Sequence, residues 1–170
     1  MWWRHRLRGP RGGSWGLIEV RPARAHEGQA LYDVTAAAIS GLAVGHYSDA
    51  QIAQWMGGRD VAHYEAVIAG GAVQVAVSAG RIVGFVDTEP GVLTRLFVRP
   101  EVAGQGLGQR LLALGVAAAL QDGVVRLEAT LNAAPFYARH GFVETGRAIY
   151  QHPLGGLPVE IVQMVFYAPK

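Results

Sequence analysis

Between positions 92 and 112 the chain reads VLTRLFVRPEVAGQGLGQRLL. An apolar run ends at Pro100, glycines follow at every second position (Gly104, Gly106, Gly108), and leucines then resume at helical spacing. Each glycine near a helix start costs about 1 kcal/mol against alanine, so three of them require a compensating role. A helix N-terminus exposes main-chain N–H groups without acceptors and carries partial positive charge. Glycine lets an anion approach that backbone with no Cβ in the way. Strand, proline, glycine loop and helix together predict a phosphate cradle built of main-chain amides. A dinucleotide fingerprint, G-x-G-x-x-G, would need glycine where Gln109 stands. A Walker loop would need a Gly-Lys-Ser/Thr triplet, which the chain lacks. Taken alone, G-x-G-x-G also suits a turn that merely packs a helix on a strand.

The remainder of the chain limits what such a loop can serve. A length of 170 residues suits one domain with a substantial core. A composition 51% hydrophobic and 16% charged excludes disorder throughout. The apolar run Ala113 to Leu120 is far short of the roughly 18 residues of a membrane span, so no membrane association is expected. Without cysteine there are no disulfides, no thiolate zinc sites and no cysteine nucleophile, and a reducing cytoplasm fits. His5, His26, His46, His63, His140 and His152 show neither HxxxH nor HxH spacing, so no metal site is expected.

The pI near 9.2 misleads. Arg4, Arg6, Arg8 and Arg11 all lie in the first fifteen residues, which hold no acid. Taking those four from the 15 basic residues leaves 11 against 13 acids, a formal charge of −2 for the body. Nucleic acid is therefore not an expected partner. Residues 1–15 have no apolar h-region and read as a loose, disordered basic leader, with one domain over 16–170.

Alternation over Leu17 to Arg21 predicts a strand stopped by Pro22, and helical spacing predicts a helix over 27–42. Ser48 and Gln51 have capping-box spacing ahead of Ile52, Trp55 and Met56, predicting a short helix. A third helix is expected over 61–69. Strands are expected over 73–77, 82–86 and 92–98, with a turn at Ala79-Gly80. Then follow a helix over 106–120 with Leu107, Leu111, Leu114 and Ala118 on one face, a strand over 124–129, a short helix over 133–140 ending at His140-Gly141, and strands over 142–150 and 159–167. The order β-α-α-(α)-β-β-β-α-β-α-β-β is that of a mixed α/β domain with hairpins in the middle and one β-α-β crossover at the glycine loop.

Some two dozen residues beyond the loop comes LNAAPFYARHGF (131–142). The pair LFVRPEVAGQGLGQRLL and LNAAPFYARHGF resembles the acetyl-CoA motif and following tyrosine motif of the GNAT N-acetyltransferase superfamily, and the element order resembles that fold over about residues 17–167. The segment HYSDAQIAQWM (46–56) further resembles a bacterial subgroup of that superfamily. The resemblance implies a central, mostly antiparallel twisted sheet flanked by helices. It also implies acetyl-CoA as acyl donor, an amine acceptor and, since the family often pairs, a homodimer. Carried over, the amides of Gly104, Gln105, Gly106, Leu107, Gly108 and Gln109 hold the pyrophosphate, with Ala103 also at the coenzyme. Leu96, Phe97 and Val98 present strand backbone to the pantetheine arm, with Asn132 and Tyr137 nearby. The family's usual Gln or Arg just ahead of the glycine loop is Ala103 here, and its asparagine seven before the tyrosine is Thr130. The phosphate grip then leans on main chain, with Gln105 or Arg110 helping.

Acetyl transfer to an amine needs the amine deprotonated, since alkyl ammonium groups have pKa values of about 10.4. It also needs a proton for the departing thiolate. Tyr137, with an ordinary pKa of about 10, suits that acid role. For the base the residues offer Glu89, at the end of a hairpin strand, with Asp87, Glu128, His46 and a water chain as alternatives. Trp55, Met56 and Tyr64 suit either an acceptor pocket or the core. The expectation is an acetyl-CoA-dependent N-acetyltransferase acting by direct transfer on a small amine. The rival expectations are a non-catalytic acyl-CoA-binding module, a protein-amine acetyltransferase, and a nucleotide-binding domain of another kind.

Overall fold

A computed structural model describes residues 17–169. The predicted leader over 1–15 lies outside the described residues. The chain runs β1 (Glu19–Pro22), α1 (Gly28–Leu42), α2 (Asp49–Ala53), α3 (Val61–Ala69), β2 (Gln74–Ser78), β3 (Arg81–Glu89), β4 (Val92–Val98), α4 (Leu107–Ala119), β5 (Val124–Thr130), α5 (Ala134–Arg139), β6 (Val143–Tyr150) and β7 (Val159–Tyr167). A 3-10 turn, Pro100–Val102, links β4 to the glycine loop. The predicted element order holds throughout.

The strands form one mixed sheet in the order β1-β2-β3-β4-β5-β7-β6, antiparallel except between β4 and β5. That parallel pair is registered at one position only, Val92↔Arg126, where Arg126 N–H donates to Gly91 O at 2.9 Å. Beyond it the two strands diverge toward their C-terminal ends. The tight turn after β2 puts Ala79 (φ +47°) and Gly80 (φ +77°) both in the left-handed region, as a two-residue hairpin requires.

Two predicted features shift. The β3 strand extends through Asp87, Thr88 and Glu89, beyond the apolar stretch that marked it. The polar residues continue the strand because Arg95, opposite Asp87 on β4, pairs with its carboxylate at 2.5 Å. The α4 helix is rotated from the predicted face. Leu107, Leu111, Leu112, Gly115 and Ala119 are buried, whereas Leu114 is 41% exposed. Gly115 sets that rotation: a Cβ there would stand 2.7 Å from Val86 and 3.0 Å from Leu93, so only the bare backbone lets the helix seat on β3 and β4.

That seat forms the main core, in which Leu107, Leu111 and Leu112 pack with Val83, Val86, Leu93, Val125 and Leu127. On the other side Leu31 and Val34 of α1 and Tyr64 of α3 cover Val75 and Phe85. The predicted capping box is present. The Ser48 hydroxyl accepts from Gln51 N–H at 3.2 Å, and Gln51 Oε1 accepts from Ser48 N–H at 2.9 Å.

Candidate active site

The glycine loop forms an open cradle. Gly104 (φ +75°) and Gly106 (φ +85°) both take left-handed backbone, and a Cβ on either would meet nothing within 4 Å. The first helical hydrogen bond of α4 runs from Arg110 N–H to Gly106 O at 3.1 Å. The amides of Leu107, Gly108 and Gln109 consequently have no helical acceptor and present the positive end of the helix dipole. Gly108 is different, since it lies inside the helix and a Cβ there would make ordinary contact with Phe136 at 3.5 Å. The expected side-chain helpers have main-chain partners: Gln105 Nε2 donates to Glu101 O at 3.1 Å, and Arg110 to Ile18 O at 3.0 Å.

A cavity of about 470 Å³ opens from this cradle along the divergence of β4 and β5. It is lined by Leu96, Phe97, Val98, Ala103, Gly104, Gly106, Gly108, Gln109, Asn132 and Tyr137. Of the residues expected to hold the coenzyme, only exposed Gln105 and core-buried Leu107 stay outside it. Asn132 Oδ1 is a buried acceptor with no donor among the described residues, an unmet polar group of the kind a bound amide satisfies. Tyr137 is 6% exposed, and burial pushes its phenol well above the ordinary tyrosine pKa. Its ring lies edge-on to Phe136 and Phe142.

A second cavity of about 610 Å³ meets the first at Phe97 and Thr130, which line both. Its floor carries Thr94, Arg95, Arg126, Glu128 and Gln163 from β4, β5 and β7; Trp55, Arg59, Tyr64, Tyr150 and His152 close the sides. Two glycine pairs build that enclosure. Gly58 N–H donates to Leu154 O at 2.6 Å, and a Cβ on Gly57 would stand 2.5 Å from Gly155 O. The α2–α3 and β6–β7 loops thus meet backbone to backbone, which holds Arg59 and His152 at the same cavity. Trp55 and Tyr64 line it, as one of their two sequence readings suggested, while Met56 packs against the α1–α3 core.

The sequence-based candidates for the base separate on geometry. Glu89 is exposed at the β3–β4 turn and lines neither cavity. Asp87 is committed to Arg95. His46 lines the cradle cavity. Tyr47 is a structural pin. Its hydroxyl donates to Glu160 O at 2.7 Å and accepts from Leu131 N–H at 2.8 Å, tying the segment after α1 to β7 and to the end of β5. Glu128 is the carboxylate that lines the second cavity. Sequence alone does not mark Arg59, Tyr150 and His152; the local signals are the Gly57-Gly58 pair directly before Arg59 and the Gly155-Gly156 pair three residues beyond His152.

A parallel pair of strands that splay apart over an amide cradle, with a cavity on either side of the split, defines an acyl-CoA transferase fold. The model of the acetyltransferase (GNAT) domain matches residues 43–162, and the chain belongs to that family of N-acetyltransferases. A relative from Escherichia coli (strain K12), named uncharacterized N-acetyltransferase YafP, is 28% identical over 125 residues, covering 74% of this chain and 81% of that protein. Among solved structures, a GCN5-related N-acetyltransferase from Rhodopseudomonas palustris superposes with a TM-score of 0.79 at 23% identity, over 92% of this chain and 99% of that one. The PaiA N-acetyltransferase from Thermoplasma acidophilum, solved in complex with coenzyme A, superposes with a TM-score of 0.66 at 19% identity, over 88% and 98% of the two chains. The protein is therefore an acyltransferase of the GNAT fold.

Proposed function

We propose that the protein transfers an acetyl group from acetyl-CoA directly to the amine of a small acceptor, with the donor in the cradle cavity and the acceptor in the cavity that Arg59 and His152 help to enclose. The observation that carries this reading is the meeting of the two cavities at Phe97 and Thr130, beside the divergence of β4 and β5. The coenzyme-side residues fit the donor. Gly104 and Gly106 leave open backbone for a pyrophosphate, and Asn132 Oδ1 is an unmet acceptor for a pantetheine N–H.

Acetyl-CoA, when bound, supplies a thioester carbonyl open to attack. The chain's own residues do the rest. The amides of Leu107, Gly108 and Gln109 fix the phosphates, and the edges of β4 and β5 hold the arm, so that most of the rate gain comes from positioning. Tyr137 keeps its proton because burial disfavours the phenolate; its O–H donates a hydrogen bond to the departing sulfur, and passes the proton on only as the negative charge there develops. Glu128 replaces Glu89 as the proposed base. Directly or through one water, it takes the proton that the amine nitrogen gives up as the N–C bond forms.

The test is calorimetric titration of the full-length protein with acetyl-CoA, ATP and NAD, followed by release of free CoA thiol in the presence of amines. Micromolar binding of acetyl-CoA alone, with amine-dependent thiol release, is the expected result. Binding without turnover of any amine would make the protein an acyl-CoA-binding module, and no binding would end the reading.

A further inference from the structure

The charges around the acceptor cavity do not balance. Three guanidiniums line it, Arg59, Arg95 and Arg126, against one carboxylate, Glu128. Arg95 is neutralised by Asp87, which lies outside the lining. Arg59 has no such partner: its Nε donates to Met56 O at 2.9 Å, and no carboxylate of the described residues pairs with it. A half-buried guanidinium without a counter-charge is costly unless something arrives to meet it. The surroundings register the strain. Burial lowers the Arg59 pKa, with Arg95 adding to the effect.

The two histidines add no compensating charge. His63 and His152 lie ring to ring at 5.5 Å, and burial together with the fields of Arg59 and Arg95 pushes both below the ordinary histidine pKa. His152 Nδ1 accepts from Leu154 N–H at 3.1 Å, so the neutral ring carries its proton on Nε2 and is a donor there. This side of the cavity therefore holds the Arg59 fork and the His152 N–H, both donors, beside the Tyr150 hydroxyl. The carboxylate of Glu128 stands on β5, two residues from Thr130, where the two cavities join.

We propose that the acceptor is a zwitterion-like small molecule, an amine that also carries a carboxylate or phosphonate group, with Arg59 gripping the anion while Glu128 faces the amine. This rests on the acetyltransferase reading above. A guanidinium presents paired N–H groups that match the spacing of two oxygens on such an anion. A volume of about 610 Å³ leaves ample room for a small molecule of this kind. A protein N-terminus, which has no anion at a fixed short distance from its amine, fits this arrangement less well.

The experiment compares matched amines with acetyl-CoA and full-length protein. The panel is the proteinogenic L-amino acids, their carboxamides, their decarboxylated amines, and 2-aminoethylphosphonate against ethylamine. Acetylation confined to the anionic members, or favouring them by about tenfold or more in kcat/KM, is expected. Whether carboxylate or phosphonate is preferred identifies which anion the cavity takes. Arg59→Gln should cut that preference by about 10- to 100-fold, mostly through KM, as expected for losing a charge-assisted pair. Arg59→Lys, which keeps the charge and stem but not the fork, should restore part of it. Calorimetric affinity for acetyl-CoA should not move in either variant, because Arg59 lies outside the cradle cavity.

Three results would overturn the inference: neutral members turned over as well as their anionic parents, a preference that survives Arg59→Gln, or acetyl-CoA binding with no panel member acetylated. Should Arg59→Gln fail to fold, a full wild-type preference in the folded Arg59→Lys protein would overturn it as well. Failure to bind acetyl-CoA would instead remove the acetyltransferase reading itself, a separate outcome read in a separate titration.

Discussion

Val92 of β4 and Arg126 of β5 form the single registered pair between two neighbouring strands, whereas β5 and β7 are registered from Val124↔Tyr167 through Thr130↔Ile161. Past that pair the facing main-chain groups of Leu96 to Val98 and of Thr130 border a cavity in place of one another. A ligand laid there acts as an inserted strand. Saturating acetyl-CoA should raise the melting temperature, by an amount that grows with concentration above its Kd, since it binds the folded state alone. Scanning calorimetry with and without ligand checks this.

The three loop glycines should not behave alike. Gly106→Val places a β-branched side chain at φ +85° and should weaken acetyl-CoA binding by about tenfold or more, given a strain of about 1–2 kcal/mol per non-glycine left-handed residue. Gly108→Ala has helical backbone and only ordinary contact with Phe136, so it should stabilise the free protein by up to about 1 kcal/mol. Titration calorimetry and thermal melts of both variants distinguish the two roles.

Tyr137→Phe should lower kcat by about 100-fold with little change in acetyl-CoA affinity, the usual scale for a lost proton donor. Because burial raises the wild-type phenol pKa, the protonated form persists at alkaline pH. The pH profile of kcat should therefore show no fall from tyrosine ionisation near the ordinary value of about 10. A descending limb there that vanishes in Tyr137→Phe would contradict the assignment.

Gly57→Ala combines φ +54° with a Cβ placed 2.5 Å from Gly155 O, so the contact between the α2–α3 and β6–β7 loops must shift. Destabilisation of about 1–3 kcal/mol is expected. The kinetic mark should be a raised KM for the amine with an unchanged KM for acetyl-CoA, read from initial rates.

Acid should weaken the fold through His63 and His152. Both have folded pKa values below the ordinary 6.5, chiefly from burial and then from the neighbouring guanidiniums. The unfolded chain takes up protons first as pH falls, so their contribution is complete above about 6.5 and is lost on descending from there through the lower folded values. Denaturant titrations between pH 7 and pH 5 should show a smaller loss of stability in the His63→Gln, His152→Gln double variant than in the wild type.

What could be read from the residues was local. The glycine loop, the Ser48–Gln51 capping box and the Ala79-Gly80 turn each announce themselves within a few positions, because backbone conformation and cap chemistry are set by immediate neighbours. The second cavity was not legible. Its enclosure depends on Gly57 meeting Gly155, far apart in sequence, and a lone arginine in a loop reads as solvated until its partner loop is in place. Leu114 misled for a related reason, and Glu89, expected at the acceptor cleft, lies exposed at the β3–β4 turn. Strand ends and helix rotation are decided by tertiary partners: Arg95 carries β3 on through Asp87, and the bare backbone of Gly115 turns α4 onto Val86 and Leu93.

The two cavities share Phe97 and Thr130 and no other lining residue among those described. On the reading proposed above, acetyl-CoA and the amine therefore occupy separate volumes and can be bound at once. Such joint occupancy gives intersecting rather than parallel double-reciprocal lines. Free CoA should compete with acetyl-CoA while leaving the amine's approach unblocked, so a cell rich in CoA would slow the donor step alone.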